Sequence, residues 1–548
     1  MNPVSSGYAR HLSSKGPHVT ITARTRRGLA GLLGAGAALA TILVLALAEP
    51  ERPSVLEAVQ NRFVDNFAAS LKDLAIALFG TNDKIALELG TLVICLALGA
   101  ALGAGFGRRV GVLGGAYVAF AALGIWSAAN DALTSTALAT VSVAVAAPVG
   151  VAVTAMLSFR WDQLATADAA RTLAVTEVAE VAEATAGADA PAAGFGRRRI
   201  LVEGPLLALG LAAVLAVGRG ARSSLTAAAS AVTGRLPGAT STVDVPTDQP
   251  FDAEGLSSFL TDNDDFYRID TALRVPVVDP DTWTLRITGM VDRELELTFD
   301  ELLARDLVDV PVTIACVSNP VGGDLIGTAA WRGIPLAELL DEAGVQDGAT
   351  QLMGESVDGF TAGFPIEAAT DGRDTLLAVG MNGELLPREH GYPARLIVPG
   401  LYGYVSATKW ISEIRVTTFE AEEGYWVPRG WARDGPVKVQ SRVDVPASGA
   451  SVAAGSQPVA GVAWAPTRGI EAVEVRIDEG PWQEAALGRV ASADTWVQWR
   501  YDWDAPPGEH RIEVRATTAD GEVQTGVPAD PAPDGAAGHH AVNCRVEA

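Results

Sequence analysis

The residue best placed for chemistry is Cys316, which stands between an apolar segment and a glycine-rich loop. The apolar residues at 310–314 alternate as they do in a strand. The loop at 319–327 carries three glycines, whose small size lets the backbone approach a ligand closely. A thiolate at such a strand end is a soft ligand that suits metals such as molybdenum. The more common use of a lone cysteine is as a small buried apolar residue, so the metal hypothesis depends on other groups in the chain.

A second block, residues 381–410, carries cationic and hydroxyl side chains in a stretch rich in proline and glycine. Arginine, lysine and hydroxyl donors suit a large anionic group such as a phosphate. A soft ligand followed by a basic block fits one bulky cofactor that carries both a metal and a phosphate. The residues concerned are His390, Arg395, Ser406, Thr408 and Lys409.

Composition excludes several classes of protein. The 548 residues have a formal net charge of −24, carried mainly by the C-terminal two thirds. Nucleic-acid binding requires a basic face, so no nucleic-acid partner is expected. The three cysteines show no paired spacing, which argues against a disulfide framework, a zinc site and c-type haem attachment. No histidine occurs between residues 19 and 389, so the apolar first half cannot supply paired histidine ligands to a haem.

Five apolar stretches in the first 220 residues are long enough to cross a membrane. Four of them are free of charge, and the fifth is interrupted by Glu203. A helix rises about 1.5 Å per residue and needs about 20 apolar residues to cross a hydrocarbon core of about 30 Å. The predicted spans are 28–48, 89–107, 110–130, 132–159 and 200–218.

Arginines gather at one side of these spans, which sets the expected orientation. With five spans, the N-terminus is cytoplasmic and everything after residue 220 is extracytoplasmic, in a multi-pass membrane protein that contacts lipid. Three consecutive arginines before the last span fit a twin-arginine export signal, or simply the same charge bias. A helical apolar pattern at 56–78 predicts an amphipathic helix between spans one and two. The arginines are Arg24, Arg26, Arg27, Arg108, Arg109, Arg160, Arg171, Arg197, Arg198 and Arg199.

Changes in composition divide the chain into four parts. Residues 1–219 form the predicted membrane anchor, and residues 220–250, rich in Ser, Thr, Ala and Pro, form a linker. Residues 251–434 mix short strands with helices, which predicts an α+β domain. Residues 435–548 alternate Val and Ile with charged residues, and turn signals recur about every 8–12 residues. This last pattern predicts an immunoglobulin-like β-sandwich.

Several segments together resemble the sulfite-oxidase-like family of molybdopterin enzymes, over residues 260–548. The run FYRIDTALRVPVVDPDTWTLRITG (266–289) resembles the opening of the family's domain. The run GVAWAPTRGIEAVEVRIDEGPW (461–482) resembles its sandwich-type dimerisation domain. Between them lie the motifs DGFTAGFP (358–365), HGYPAR (390–395) and KW (409–410).

The resemblance implies an oxidoreductase that uses a molybdopterin cofactor and moves an oxygen atom to or from its substrate. Cys316 matches the family's metal-binding cysteine. Trp431 aligns with a tyrosine near the metal, for which Tyr402 or Tyr425 could substitute in space. Arg268 matches an arginine of the opening segment, with an expected role in both catalysis and cofactor binding. The other predicted cofactor-binding residues are Asp358, His390, Arg395 and Lys409, from the resemblance, and Ser406 and Thr408, from their hydroxyls.

The chain departs from the sulfite-oxidising pattern just after the cysteine. Arginines that help to bind the anion follow the family's cysteine closely, but Pro320 and Val321 stand there in this chain. This disfavours sulfite and makes a small neutral substrate, such as a sulfoxide or an N-oxide, a comparable candidate. Electrons would be exchanged with a separate partner, and the tail implies a homodimer. The alternative function is that of a cofactor-free membrane-anchored binding protein that uses its sandwich domain.

Overall fold

A computed structural model describes residues 22–66, 83–183, 195–229, 232, 234–246 and 250–548. Within these residues, five helices are long and apolar enough to cross a membrane, as predicted. The helices of the first half are α1 (Ala23–Leu45), α2 (55–66), α3 (Asp83–Phe106), α4 (Val110–Ala129), α5 (Thr136–Glu183) and α6 (Phe195–Ala229). The helix α2 is the first part of the predicted amphipathic helix, whose remainder lies outside the described residues.

Helix α1 lies at the centre of the bundle and packs against α3, α5 and α6. The close approach of α1 and α3 depends on glycine, because a Cβ atom at Gly103 would lie 2.2 Å from the Arg27 carbonyl oxygen and 2.7 Å from the Gly31 Cα. Small residues at such crossings let two helix backbones come into van der Waals contact, which stabilises helix pairs in lipid. Large apolar side chains of α3 and α4, such as Val93 and Val118, point outward.

The helix α2 joins the bundle at the ends of the helices that face the second half of the chain. Its Val55 and Ala58 are buried against Ala128 at the end of α4 and against Ala139 and Val143 of α5. These residues form a small apolar cluster, so α2 is docked on the bundle.

Two mixed sheets enclose the core of the second half's first domain. One has the order β1-β4-β5-β8-β10, with β9 added to β8, and the other has the order β3-β2-β11-β6-β7. Short helices α7 (Phe299–Leu303), α8 (Leu336–Ala343) and α9 (Gly403–Ser406) connect strands. The strands of the first sheet are β1 (Ser241–Thr242), β4 (Val308–Ala315), β5 (Ile326–Pro335), β8 (Leu376–Met381), β9 (Glu384–Leu385) and β10 (Arg395–Ile397). Those of the second are β2 (Thr284–Gly289), β3 (Leu295–Thr298), β6 (Gln351–Ser356), β7 (Thr361–Pro365) and β11 (Ile411–Thr417).

The segment 220–250, predicted to be a linker, is partly structured. Helix α6 continues to Ala229, and Ser241–Thr242 pairs in parallel with the start of β4. Short polar residues in an otherwise unpatterned stretch did not reveal this pairing, because its partner strand lies more than sixty residues further along the chain.

Two further sheets follow, and they pack face to face. One contains β12 (Gln440–Val445), β14 (Gly455–Trp464), β17 (Ala486–Leu487) and β18 (Val497–Ala505). The other contains β13 (Ser451–Ala453), β15 (Ile470–Ile477), β16 (Gln483–Glu484), β19 (Gly508–Thr518) and β20 (His540–Glu547). Val459 and Trp499 from the first meet Val514 and Val542 from the second in one apolar core. Alternating inward apolar and outward polar residues produce this arrangement.

The last domain also braces strand β4. The Trp496 backbone N–H donates to the Thr313 hydroxyl at 2.7 Å, and the Thr313 N–H donates to the Asp494 carbonyl at 2.9 Å. The Trp496 indole N–H donates to the Phe259 carbonyl at 2.8 Å. The strand that ends just before Cys316 is therefore held from both domains.

The glycine contact between α1 and α3 generates a prediction. Gly103→Ala should destabilise the bundle by roughly 1–3 kcal/mol, because the new methyl group meets backbone atoms that cannot move away without separating the helices. The measurement is the thermal midpoint of the purified protein in detergent.

Gly105→Ala is the matched control, because a Cβ atom there would meet no atom of the described chain within 4 Å. Both substitutions gain the same helix propensity, about 1 kcal/mol, so the difference between them isolates the packing effect. Equal midpoints for the two variants would show that the helices do not approach each other at Gly103.

Candidate functional site

Cys316 is the first residue after β4, and the loop that follows holds its backbone tightly. Its N–H donates to the Leu325 carbonyl at 2.9 Å, and its carbonyl accepts from the Asn319 N–H at 3.0 Å. The Asn319 side chain is buried and accepts from the Leu325 N–H at 3.0 Å. Cys316 itself is 7% exposed. The turn thus fixes the thiol at the end of a strand on a loop that leads directly back into β5.

The glycine-rich loop meets the last domain at His540. A Cβ atom at Gly322, whose φ is +76°, would lie 2.1 Å from an imidazole carbon of His540. The His540 Nδ1 accepts from the Val443 N–H at 3.0 Å, so the other ring nitrogen carries the proton when the imidazole is neutral. Only glycine fits at position 322, because of both its φ and this contact.

Two tyrosines, the half-buried Tyr267 and the buried Tyr402, interact electrostatically with Cys316. Burial raises the pKa of Tyr267, and the negative charge of Cys316 raises it further while Arg395 opposes the change. Burial raises the pKa of Tyr402 to about 12, with Cys316 among the smaller contributions. Both phenols therefore remain protonated at neutral pH. The Tyr402 hydroxyl accepts from the Lys438 N–H at 3.4 Å and keeps its own proton to donate.

Arg395 begins strand β10 and is 4% exposed. Its Nη1 donates to the His390 carbonyl at 3.1 Å, and its guanidinium lies over the Trp331 ring at 4.9 Å from the centroid. No carboxylate among the described residues forms an ion pair with it. Burial lowers the pKa of Arg395 to about 10, although Tyr267 opposes the change. A buried cation held only by carbonyl groups and a ring is suited to receive an anionic or strongly polar ligand.

Three cations converge on Asp270, whose side chain is 3% exposed. Lys409 Nζ and Arg268 Nε approach Oδ2 at 3.0 Å and 3.1 Å, and Lys84 Nζ approaches Oδ1 at 2.9 Å. Burial alone would raise the pKa of Asp270, but Lys409, Lys84 and Arg268 together hold it far below its usual range. The carboxylate is thus ionised, and this site is called here the Asp270 cluster. The side chain of Lys409 is 10% exposed, whereas those of Lys84 and Arg268 are 36% and 39% exposed.

His390 lies between the Asp270 cluster and the aromatic side chains near Cys316. Its Nε2 donates to the Asn263 carbonyl at 2.9 Å, and Phe266 contacts its ring edge-on at 5.6 Å. Burial lowers the pKa of His390 to about 4, and the cations Arg395 and Lys409 act in the same direction. His390 is therefore neutral at physiological pH and adds no charge to the site.

The remaining predicted residues occupy different surroundings. Asp358 lies near Asp270, burial raises its pKa, and its carboxylate accepts from the Phe360 N–H at 3.1 Å. The Ser406 hydroxyl donates to the Tyr402 carbonyl at 3.0 Å within α9. The Thr408 hydroxyl has no hydrogen-bond partner among the described residues, and it faces inward. A Cβ atom at Gly354 would lie 2.7 Å from it.

Trp431 belongs to an aromatic cluster on the Cys316 side of the domain. Its ring centroid lies 5.8 Å from that of Tyr404 and 6.4 Å from that of Trp426. It packs against the apolar cluster that contains Tyr402 and Ala315, the residue before Cys316. Tyr425 joins this cluster through Trp426, with 5.1 Å between the ring centroids, and its hydroxyl donates to Asp65 of α2 at 3.2 Å.

The fold thus brings several predicted residues into two groups, together with Tyr267 and Asp270, which were not predicted. Cys316 lies with Tyr267, Tyr402 and, through Tyr267, with Arg395. Arg268 and Lys409 meet at Asp270, with Asp358 nearby. Ser406 and Thr408 turn their hydroxyls toward the protein interior instead.

Sequence reasoning missed Asp270, Tyr267 and Lys84. Asp270 lies two residues after Arg268, and on an extended segment this spacing points both side chains the same way, which is a usable signal. Tyr267 could have been noticed in the same run. Lys84 is 186 residues from Asp270, so no local pattern could connect them.

Comparison with known proteins bears directly on this site. Residues 272–426 match the family profile described as "Oxidoreductase molybdopterin binding domain". Sulfite oxidase of Gallus gallus is 30% identical over 333 residues, which cover 51% of this chain and 72% of that protein. Mitochondrial sulfite oxidase of Homo sapiens is 29% identical over 329 residues, covering 50% of this chain and 60% of the human protein. An NADH nitrate reductase of Brassica napus is 33% identical over 178 residues, which cover 28% of this chain and 19% of that protein.

These matches define an oxidoreductase with a molybdopterin-binding domain. The chain belongs to the sulfite-oxidase-like family of molybdopterin oxidoreductases. This confirms the predicted family, class of enzyme and cofactor. The chain spans about 60% of the length of the mammalian relatives that it matches.

The residues present fit a molybdopterin. Such a group offers soft sulfur and a metal at one end and a phosphate at the other, so it requires a thiolate and a cationic site on one surface. Cys316 offers a soft ligand, and positive charge comes from Lys409 and from Arg395, which pairs with no carboxylate among the described residues. Gly391, with φ +113°, lies where a Cβ atom would come within 3.2 Å of both Arg395 and Lys409, so the backbone passes close between the cations.

The charge state of Lys409 gives a pH-dependent prediction. Burial lowers the pKa of Lys409 to about 8. The cations Arg395 and Arg268 act in the same direction, and the carboxylate of Asp270 opposes them. Lys84 contacts the other oxygen of Asp270. A bound phosphate would raise this pKa, so the loaded protein would hold the proton more tightly than the empty one. By linkage, the cofactor should bind more weakly as the pH rises above about 8.

The measurement is the rate at which pterin, detected by its fluorescence after oxidation, leaves the loaded protein at about pH 7 and at about pH 9. The wild type should release it several-fold faster at the higher pH. Lys409→Arg keeps its charge in this range and should show little change. An equal acceleration in both proteins would assign the effect to another group.

Proposed function

We propose that this chain is a membrane-anchored, extracytoplasmic molybdopterin oxidoreductase that transfers an oxygen atom to or from a small substrate. The observation that carries the proposal is the pairing, in one domain, of a rigidly held thiol at Cys316 with the buried cations Arg395 and Lys409. A thiol used only as core filler would not require a buried arginine without a carboxylate partner among the described residues of its domain.

In the proposed site, Cys316 Sγ holds the metal, and Arg268, Arg395 and Lys409 hold the anionic part of the cofactor. Asp358 and His390 would bind the pterin through hydrogen bonds, since His390 is neutral and Asp358 is partly shielded from solvent. When bound, the molybdenum centre supplies two-electron exchange of an oxygen atom. The chain's own contribution is to position the cofactor and substrate and to tune their surroundings.

Ser406 and Thr408 remain proposed members of this site, but their hydroxyls have other surroundings. Ser406 donates to a carbonyl of its own helix. Thr408 precedes Lys409, and its carbonyl accepts from the Leu396 N–H at 3.0 Å, which fixes the backbone from which Lys409 projects. We infer that Thr408 acts on the cofactor through Lys409.

The substrate would meet aromatic side chains on the Cys316 side. Tyr402 is a protonated donor in the apolar cluster that contains Ala315, the residue before Cys316, and Trp431 packs against this cluster. We propose that Tyr402 donates a hydrogen bond to the transferred oxygen, and that Trp431 covers the site and excludes water. Arg268 pairs with Asp270, so its catalytic role would be exerted through the cofactor.

Sulfite is not the favoured substrate. Pro320 is exposed and Val321 half-buried in the loop after Cys316, and neither offers charge to a dianion. Arg442 donates to the Gly323 carbonyl at 2.8 Å, but Asp444 neutralises it at 2.6 Å. A neutral sulfoxide or N-oxide fits these surroundings better. The test compares the steady-state turnover of sulfite with that of a sulfoxide or an N-oxide, each with an artificial electron acceptor or donor. Faster turnover of sulfite would overturn this substrate preference.

The membrane orientation follows from charge. Arg26 and Arg27 pair with Asp162 at one end of the bundle, at 3.2 Å and 2.7 Å, and Arg108 and Arg109 lie in the turn between α3 and α4. The catalytic domain contacts the other end through Lys84. The positive-inside rule then assigns the catalytic domain to the extracytoplasmic side, with lipid around the five spans. Chemical labelling of introduced cysteines in intact cells tests this topology.

For the last domain we propose an immunoglobulin-like sandwich over residues 435–548, after a catalytic domain at 251–434 and an anchor at 1–219. Two packed sheets with a shared core support it. A homodimer formed through this domain is part of the proposal. Electrons would pass to or from a separate partner, because the sequence has no histidine between residues 19 and 389.

The proposal is tested by the molybdenum and pterin content of the purified protein and of its Cys316→Ser variant. The wild type, made in a host that synthesises the cofactor, should carry both in near-stoichiometric amounts. The variant should lose most of its molybdenum, because a hydroxyl is a poorer and harder ligand than a thiolate.

Cys544→Ser is the matched control, since Cys544 is an equally buried cysteine in the core of the last domain. It should keep its metal. A wild-type protein without molybdenum and pterin would leave the cofactor-free binding protein as the better description.

A further inference from the structure

At the end of the bundle away from the catalytic domain, a groove of about 340 Å³ lies between the α3–α4 turn and α5. The turn contributes Arg108, and α5 contributes positions 159, 162, 163, 166, 167 and 170. These positions recur at intervals of three and four residues, so they share one face of the helix. The volume lies within the range of about 300–1,000 Å³ that is usual for small-molecule sites. This space is called here the α5 groove.

The α5 groove lies where the surface of the bundle changes from apolar to polar. Phe159 is the last residue of an apolar run in α5, its side chain is 53% exposed, and charged and polar residues follow it. On the other side of the groove, the exposed apolar residues Phe106 and Val110 flank the turn that carries Arg108. In a membrane, such a boundary lies at the level of the lipid headgroups.

The charges around the α5 groove favour an anionic ligand. Arg108 is exposed and forms no ion pair within the part of the chain that the structure describes. The one carboxylate of the lining, Asp162, is already engaged by Arg26 at 3.2 Å and by Arg27 at 2.7 Å. An anion beside Arg108 would therefore gain a cation and would face a carboxylate whose charge its own partners balance.

Two further side chains of the lining suit a headgroup that carries hydroxyls. The Thr166 hydroxyl uses its proton on the Asp162 carbonyl at 2.8 Å, so it can only accept from a ligand. The Gln163 amide is exposed in the same groove and can donate to a phosphate oxygen or accept from a hydroxyl. A phosphate esterified with glycerol would use both kinds of group.

We propose that the α5 groove binds one anionic phospholipid, with its phosphate at Arg108 and an acyl chain against Phe159. A free phosphate would use only the cation, whereas a phospholipid would also cover the exposed aromatic ring. Basic pockets between membrane helices recognise anionic headgroups in this way. The inference rests on the proposed anchoring in a membrane and does not involve the cofactor.

The test measures how many lipids each chain binds, by native mass spectrometry in detergent with equal amounts of phosphatidylglycerol and phosphatidylcholine. The wild type should bind phosphatidylglycerol with a several-fold preference. Arg108→Gln should lose most of this preference, and Arg108→Lys, which keeps the charge, should retain most of it. Equal preference in the wild type and in Arg108→Gln would overturn the inference.

Arg109→Gln is the matched control. Arg109 is the next residue of the same turn and is exposed like Arg108, but it does not line the α5 groove. Its variant has the same net charge as Arg108→Gln and should bind phosphatidylglycerol as the wild type does. An equal loss in the two variants would assign the preference to the total charge of this end of the bundle and overturn the inference.

Two further measurements separate the remaining explanations. An excess of glycerol 3-phosphate should not displace the bound lipid, because it cannot contact Phe159 with an acyl chain; displacement would assign the groove to a free anion. A wild-type chain recovered outside the membrane fraction would contradict the proposed anchoring itself. A membrane-bound wild type that takes up both lipids equally would contradict only the lipid site.

Discussion

The buried carboxylate of Asp270 is the interaction on which the arrangement of the site depends. It holds Arg268 from the opening segment, Lys409 from the second basic block and Lys84 from α3. Of these cations, Lys409 is the most buried, and removing one partner of a buried ion pair typically costs roughly 3–5 kcal/mol. Three distant parts of the chain must therefore be correctly placed before this cluster can form. The catalytic domain and the bundle thus share one structural element.

The opposite end of the site follows a different physical rule. Cys316 is fixed by backbone hydrogen bonds in a loop braced by two domains, and its neighbours are apolar or aromatic. Low polarity strengthens every electrostatic interaction made there and keeps nearby phenols such as Tyr402 protonated. Arg395, buried against Trp331, lies between this apolar region and the cationic one. The site thus combines a soft, dry end with a charged end, as a cofactor that carries a metal and a phosphate requires.

The sequence revealed those features that depend on local pattern. Hydropathy over about 20 residues located the five helices that are long and apolar enough to cross a membrane, and the strand followed by glycines singled out Cys316. Contacts between distant parts of the chain escaped it. Lys84 meets Asp270 only when α3 contacts the catalytic domain, and His540 packs on Gly322 across a domain boundary. Thr408 was selected for its hydroxyl, and only the fold shows that this group faces inward.

The position of the phosphate in an experimental density map of the loaded protein, embedded in a lipid nanodisc, tests these ideas most directly. We expect a metal on the sulfur of Cys316 and a phosphate within hydrogen-bond distance of the Lys409 ammonium group or the Arg395 guanidinium group. A metal bound away from Cys316, or a phosphate bound away from both cations, would contradict the central claim that the thiol and the buried cations of this domain hold one cofactor between them.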